Sequence, residues 1–379
     1  MKNKAAFFIL LILLFARQSH AITELIPAAP ELNAKSYLLV DYDSGRKLVE
    51  HNIDQRLSPA SLTKMMTIYV AANELEAGRI SLDDKVTVSE KAWKMPGSRM
   101  FIEVGKQVTV DDLLKGIIIQ SGNDASVALA EYISGTEDVF AQLMNQHARR
   151  LGMKNTNYVN STGLPDEQHY TSAHDLAILA LSLIKEFPEI YALHSLKEFT
   201  FNDITQQNRN KLLWSDKSVD GIKTGHTEDA GFCLVASAKR DNMRLISVVM
   251  GTNSFKAREQ ANQALLNYGY RFYETKKVFN AGDVVTTAKI WKGVSEKVEL
   301  GLNNNIYITI PRGQFDNVNK LFDLPEIITA PVKRGEQLGN VKLTLAGEEV
   351  LSKPLVVLKN IDQTNVFGRL KDDIRLFFE

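Results

Sequence analysis

The sequence predicts an α/β (α+β) domain, an antiparallel sheet beside a helical cluster, followed by a small all-β domain. Three observations predict it. Strand-like segments stand on either side of a stretch, from Ser58 to about Ser195, whose apolar residues recur at helical spacing. The flanking segments are short and β-rich, as in a sheet that joins the two ends of one domain. From Lys276 the pattern changes to short alternating runs separated by Gly, Asn and Pro.

The elements follow in order. Lys2 and Lys4 precede AFFILLILLFA, and Ser19 to Ala21 (SHA) fits a small-x-small cleavage site, so residues 1–21 read as a secretory signal peptide. The apolar run is too short for a comfortable membrane span. ITELIPAAPELNA then reads as an exposed leader, with the folded domain expected over 34–275. KSYLLVDYDSGRKLVEHN alternates around Asp43-Ser44-Gly45, a hairpin signature. Helices are expected in VDDLLKGIIIQ, DASVALAEYIS, DVFAQLMNQHARRLG and SAHDLAILALSLIKEF, and a meander in SVDGIKTG, GFCLVASAKR and MRLISVVMG. The amphipathic FKAREQANQALLNYGYRFYE closes the unit, with Ala257, Ala261, Leu265, Tyr268 and Phe272 on one side. Residues 276–360 form the β-domain, which holds no cluster of catalytic residue types and reads as a spacer or docking module. Over 361–379, Phe367, Leu370, Ile374, Phe377 and Phe378 share one helical face, which calls for a membrane surface or another protein surface.

Charge and cysteine content exclude several functions. Lys plus Arg equals Asp plus Glu, 45 against 45, so a polyanion partner such as nucleic acid is not indicated. Loss of Lys2, Lys4 and Arg17 with the signal leaves the mature chain slightly acidic. Cys233 is the single cysteine and lies in an apolar run, so it reads as a buried strand residue and not a nucleophile. An exported chain without disulfides fits a bacterial source. The seven histidines include no H-E-x-x-H or comparable pair, so neither a metal site nor a cofactor is expected.

The chemistry concentrates in LSPASLTKMMTIYV. Ser58 fits an N-cap and Pro59 the first helical position, which would put Ser61 and Lys64 one turn apart on a half-buried face. Ser-x-x-Lys is weak alone, since roughly one copy is expected by chance in a chain this long. Ser44 and Lys47 fall in the hairpin turn, and Ser182 and Lys185 fall inside a helix. Only Ser61 and Lys64 fall at a helix start, where the Ser61 amide has no intrahelical acceptor and is free to donate to an oxyanion.

Two further stretches, Ser121 to Asn123 (SGN) and Lys223 to His226 (KTGH), would each pass singly for a plain turn. Together with SLTK, and in this order, they resemble the signature motifs of the penicillin-binding protein and serine β-lactamase superfamily. IIIQSGNDAS, STGLPDEQHYTSAHDLAILA, NRNKLLW and DGIKTGHTEDAGFCLVASA resemble one branch, the low-molecular-mass D-alanyl-D-alanine carboxypeptidases of type 5, and the likeness covers nearly the whole chain. It implies a transpeptidase-type domain and removal of terminal D-alanine from peptidoglycan stem peptides. It also implies stable acylation by β-lactams and a place on the periplasmic side of the bacterial inner membrane, held by the C-terminal helix.

On this reading Ser61 is the nucleophile and needs a base. Lys64 serves if neutral, and burial together with the positive charge of Lys223 would make it so. Ser121 relays a proton to the leaving amine, Asn123 binds the substrate amide, and Lys223, Thr224 and Arg209 hold the terminal carboxylate. Gly225 lets the substrate backbone approach, and the His226 amide joins that of Ser61 in the oxyanion hole. A Ser-His-Asp arrangement of His226 with Asp175 or Asp229 is the weaker alternative. Two other functions stay open. A class A-like β-lactamase would need a glutamate, and the E-x-x-L-N pattern at Glu299 to Asn303 falls in the β-domain. A non-catalytic penicillin sensor or scaffold would not need the base. The tail, with Arg369, Lys371 and Arg375 against Asp362, Asp372, Asp373 and Glu379, is slightly acidic, so lipid binding would rest on apolar burial, and folding back onto the β-domain is the competing expectation.

Overall fold

The computed structural model describes residues 26–378, so the signal peptide expected over 1–21 lies outside the described residues. Strands β1 (Ser36–Asp41) and β2 (Lys47–His51) form a hairpin. A 3₁₀ turn, Ala60–Thr63, leads into α1 (Lys64–Glu76), followed by β3 (Lys85–Thr87), α2 (Glu90–Trp93), β4 (Gln107–Thr109) and α3 (Val110–Lys115). After a wide π-type turn, Gly116–Gln120, come α4 (Asn123–Ser134), α5 (Glu137–Leu151), α6 (Ala173–Glu186) and α7 (Pro188–Ala192). The hairpin β5 (Glu198–Phe201) and β6 (Ile204–Gln207) and the short α8 (Leu212–Ser215) precede the meander β7 (Val219–Thr227), β8 (Gly231–Arg240) and β9 (Met243–Thr252) and the closing α9 (Phe255–Phe272). Side chains cap the helices where the sequence offers them: Thr109, Thr136, Ser172 and Ser254 each accept an amide of the first turn.

The main sheet has the order β2-β1-β9-β8-β7, antiparallel throughout, so the N-terminal hairpin is completed by the C-terminal meander. Both of its faces are buried. Leu38, Val40, Cys233, Val235, Ile246 and Val248 join the core shared with the helices, while Leu39, Leu234, Ala236, Leu245 and Val249 join a second core under α9. The two-residue alternation of a strand thus serves two cores, and β8 and β9 read as nearly continuous apolar runs. Strand β7 is an edge strand, and its free side borders the site described below.

Three local expectations are refined or corrected. The mainly helical stretch from Ser58 to about Ser195 also holds a small strand pair, β3 with β4, and a second pair, β5 with β6, follows it, in three- and four-residue strands too short to show an alternating pattern. The leader is not a free arm, because Ile26, Ala29, Leu32 and Ala34 pack on the core under α9 and the Tyr268 hydroxyl donates to the Pro27 carbonyl at 3.0 Å. Ser58 does not cap a regular helix. Ala60 has φ +47°, which no helix starting at Pro59 accommodates, and α1 begins only at Lys64.

Strand β10 (Tyr273–Phe279) leads out of α9 and opens the β-domain, in which β11 (Val284–Lys289), β12 (Lys297–Gly301), β13 (Ile306–Pro311), β14 (Val318–Asp323), β15 (Gln337–Leu345) and β16 (Glu348–Val357) follow. A β10-β13 pair and a five-stranded sheet, β11-β12-β16-β15-β14, enclose Val298, Leu300, Ile308, Ile310, Leu343 and Leu355. Asp41 ties the two domains, accepting from Ser44 Oγ at 2.7 Å and from Thr275 Oγ1 at 2.6 Å, and Ser44 Oγ also meets Thr309 Oγ1 at 2.5 Å. The serine of the Ser44–Lys47 pair is therefore a domain-junction group. Helix α10 (Val366–Phe378) ends the described chain.

Candidate active site

Ser61 sits in the 3₁₀ turn ahead of α1, at a cleft of about 360 Å³ lined also by Ser121, Arg209, Thr224, Gly225, His226 and Arg258. The turn is held in its unusual shape by close backbone packing. Gly225 of β7 packs tightly on it, since a Cβ there would lie 3.0 Å from the Pro59 carbonyl oxygen. Gly163 is tighter still, with φ +84° and a hypothetical Cβ only 1.8 Å from the Ala60 carbonyl oxygen. At Gly163 only glycine satisfies both conditions, the positive φ and the missing space.

Lys64 is fully buried, and its Nζ lies 3.2 Å from Ser61 Oγ, 2.7 Å from Asn123 Oδ1 and 2.6 Å from the Thr162 carbonyl oxygen. Asn123 Nδ2 donates to the Pro96 carbonyl at 2.7 Å, which fixes the amide with its oxygen toward Lys64. Two of the three neighbours can only accept. A neutral amine has two N–H groups and one lone pair; the N–H groups go to Asn123 and Thr162, and the lone pair is left for the Ser61 hydroxyl proton. Burial, and next the charge of Arg209, lower the Lys64 pKa to about 7, against the pull of Asp124 and Glu137. Lys64 and Lys223 repel one another as well, and this repulsion helps to lower the Lys223 amine. The sign is definite: the base form gains as pH rises. The rate of acylation by a penicillin is therefore expected to rise through about pH 7, and a pH-independent rate across neutrality would contradict a lysine base.

Ser121 follows the π-type turn in the left-handed region, φ +66°, an unusual conformation for a non-glycine residue. Asp124 ties the following helix start to the 98–102 segment. Its carboxylate accepts the amides of Met100 and Phe101 at 2.9 Å and of Ile102 at 3.3 Å, and the Asn123 amide donates to the Ser98 carbonyl at 2.7 Å. Ser121 Oγ accepts from Lys223 Nζ at 2.9 Å. Among the described residues its hydroxyl thus faces Lys223 and not Lys64. Lys223 is itself buried, does not line the cleft, and has its pKa pushed well down by burial first and then by Lys64, Arg209 and Arg258. Its amine lies beside the Ser121 hydroxyl.

Cations that do line the cleft are Arg209, Lys211 and Arg258. Asn208 and Asn210 anchor the NRN turn, donating to the carbonyls of Leu196 at 2.9 Å and Gly221 at 3.0 Å, while Arg209 between them is exposed over the cleft. Arg258 went unnoticed in the sequence, where FKAREQ reads only as the start of an amphipathic helix. It is buried in the first turn of α9, donates to the Gly225 carbonyl at 3.1 Å, and keeps a buried Nε that has no partner among the described residues. The Thr162 carbonyl went unnoticed too; a backbone acceptor has no residue type to betray it, although the Ser-Thr-Gly around it, Ser161 to Gly163, marks a turn.

His226 stacks on Phe232, ring centroids 3.9 Å apart, and stands 5.8 Å from Phe255, so its imidazole forms part of an aromatic wall. Asp175 is engaged elsewhere, accepting from the Asn155 amide and Thr156 Oγ1 at 2.7 Å in the first turn of α6. No Ser-His-Asp triad is assembled among the described residues. Glu299 lies on β12 and pairs with Lys359 at 3.0 Å, in the other domain. Cys233 is buried on β8, its thiol pushed up to about 11 by burial. Among the described residues no group of His, Cys, Asp and Glu is arranged to hold a metal ion.

Residues 23–254 match the family model described as D-alanyl-D-alanine carboxypeptidase, and residues 273–363 match that of the penicillin-binding protein 5 C-terminal domain. The chain belongs to the D-alanyl-D-alanine carboxypeptidase family. It is thereby a serine peptidase, with the penicillin-binding protein fold followed by an all-β domain. D-alanyl-D-alanine carboxypeptidase DacA of Escherichia coli is 42% identical over 376 residues, covering 96% of this chain and 93% of that protein. The crystal structure of penicillin-binding protein 5 from Haemophilus influenzae superimposes with a TM-score of 0.87 at 43% identity, covering 89% of this chain and all of that one. Penicillin-binding protein D2 from Listeria monocytogenes, in its cefotaxime-bound form, matches 64% of this chain with a TM-score of 0.60 at 28% identity.

Proposed function

We propose that this carboxypeptidase removes the terminal D-alanine of peptidoglycan pentapeptide stems through an acyl-enzyme on Ser61. The observation that carries the proposal is the buried Lys64 amine, whose neighbours leave one lone pair for the Ser61 hydroxyl. Lys64 takes the hydroxyl proton as Ser61 attacks the penultimate carbonyl. The oxyanion is met by the amides of Ser61 and His226. Ser121, held beside Lys223, takes the proton from Lys64 and passes its own to the departing D-alanine nitrogen as the C–N bond breaks, which leaves Lys64 neutral again. The terminal carboxylate is received by Arg209, Thr224 and Arg258, whose unpartnered Nε supports an anion at that wall. Asn123 spends its amide on Lys64 and Pro96 before substrate arrives, so its contact with the substrate amide requires exchange of one of these bonds. Water then releases the peptide, with Lys64 as the base. A β-lactam enters the same path and stalls as a long-lived adduct, in keeping with the cefotaxime-bound relative.

Digestion of purified wall muropeptides tests this. Tetrapeptides and free D-alanine are the expected products, with penicillin retained on Ser61 in intact-mass spectra. Penicillin destroyed without an accumulating adduct would favour a β-lactamase instead.

We infer further that the enzyme acts in the bacterial periplasm at the inner membrane, held there by α10. Phe367, Phe377 and Phe378 are 83%, 84% and 82% exposed on one side of the helix, while Asp372 accepts the Lys292 amide at 2.7 Å and Asp373 pairs with the Lys292 ammonium at 2.5 Å. The acids thus dock the helix on the β-domain and the apolar side is left outward, a support for interfacial binding. No described helix is long and apolar enough to cross a membrane. Deleting residues 364–379 is expected to move the protein from the membrane fraction to the soluble one without loss of penicillin binding; retention in the membrane would end the anchor reading.

A further inference from the structure

The carbonyl that receives Lys64 belongs to a loop with no regular structure of its own, so something must hold it. Ser161, the preceding residue, is gripped from three sides. Its amide donates to Glu137 Oε1 at 3.0 Å and its hydroxyl to the same oxygen at 2.7 Å, while its carbonyl accepts from Thr67 Oγ1 at 2.7 Å. Glu137 opens α5, is buried, and pairs through its other oxygen with Lys91 of α2 at 2.9 Å. A buried carboxylate is costly unless each oxygen is used, and here each is. The three signature motifs, SLTK, SGN and KTGH, include neither Glu137, Ser161 nor Lys91, although Ser161 opens the STGLPDEQHYTSAHDLAILA stretch.

We propose that Glu137 is a positioning residue for the catalytic amine: it holds the Ser161–Thr162 peptide where the Thr162 carbonyl accepts from Lys64, and it is a buried anion that balances that amine. The chain of contacts runs Lys91, Glu137, Ser161, Thr162 carbonyl, Lys64 Nζ, Ser61 Oγ; Ser161 and Thr162 are joined by the main chain, and every other link is a hydrogen bond or an ion pair. Thr67, one turn along α1 from Lys64, closes the loop from the other side, so the spacing between amine and carbonyl is set by two elements at once. Burial raises the Glu137 pKa, but the Ser161 amide, Lys91 and the Ser161 hydroxyl outweigh it, and the carboxyl stays ionised below its usual range. Glu137 accordingly favours the protonated form of Lys64, as does Asp124, against burial and Arg209. Lys223 stands nearby, with Lys64 among the charges that lower it. On the Lys91 side, Asp138 and Glu131 add to the negative field.

The inference rests on the role given to Lys64 under the proposed function, and penicillin acylation reads it apart from peptide hydrolysis. Glu137→Ala and Glu137→Gln would be compared with wild type for the limiting rate of acylation, the drug concentration giving half that rate, and the pH dependence of both, with circular dichroism to check folding. The alanine variant loses the grip on Ser161, and its limiting rate is expected to fall by about tenfold or more with little change in half-saturation. Glutamine keeps an acceptor for Ser161 but not the charge. It should recover most of the rate, with the acidic limb shifted to lower pH, because Lys64 then loses its proton more readily. A folded Glu137→Ala variant that acylates as wild type overturns the proposal. If that variant does not fold, Glu137→Gln decides alone, and an acidic limb left in place overturns it. Absence of D-alanine release from wild type, with acylation intact, would sink the proposed function and leave this inference standing.

Discussion

Ser61→Ala should show no penicillin adduct in the intact-mass spectrum and no D-alanine release above background, and Lys64→Met should slow acylation by roughly 10²–10⁴-fold, the span of a lost general base. The two variants separate nucleophile from base. Without Ser61 Oγ no covalent bond can form, whatever the state of the amine. Without the amine the hydroxyl remains, but the lone pair 3.2 Å from it is gone. Lys64→Arg sharpens the test. A guanidinium keeps positive charge at the position and does not give up its proton. If Lys64 acted as a fixed charge, arginine would preserve much of the rate; as a base, it should be as slow as methionine. A Lys64→Arg variant near wild-type rate would remove the proton path. The measurement is the time course of adduct formation by mass spectrometry.

Gly163→Ala should destabilise the protein by about 3 kcal/mol or more and slow acylation by roughly a hundredfold. The Cβ would meet the Ala60 carbonyl oxygen at 1.8 Å, and backbone on both sides must move. On one side lies the turn that carries Ser61; on the other, the Thr162 carbonyl that receives Lys64. Gly152 is the control. It has φ +81° but nothing within 4 Å of a hypothetical Cβ, so Gly152→Ala should cost only the strain of its backbone, about 1 kcal/mol, and leave acylation alone. Denaturant titrations with adduct kinetics measure both effects. Equal stability losses in the two variants would show that the contact with Ala60 carries no weight.

The residue types of the site were legible because the chemistry demands them in order: a hydroxyl and an amine one turn apart, a second hydroxyl after an apolar helix, a lysine followed by threonine and glycine on a β-strand. The two competing Ser-x-x-Lys pairs were separable on local grounds, and the hairpin around Asp43-Ser44-Gly45 and the long apolar helices were marked by their own periodicity. The short pairs β3-β4 and β5-β6 were not, since three or four residues hold no period. Nor was the start of α1: serine and proline suggested a regular cap, and packing of Ala60 against Gly163 and Gly225 replaced it by a 3₁₀ turn.

What the sequence by itself determined was the fold class and the family, and it named the candidates for the reacting groups, all of which depend on residue type and spacing along one chain. What only the tertiary structure decided was how those groups are shared. Lys64 belongs with Ser61, Asn123 and the Thr162 carbonyl, Lys223 belongs with Ser121, and a buried Arg258 reaches the cleft from α9. The physical reason is range. Periodicity and turn chemistry act over a few residues, whereas burial and charge act on whatever the fold brings near, from segments as far apart in the chain as Lys64 and Thr162.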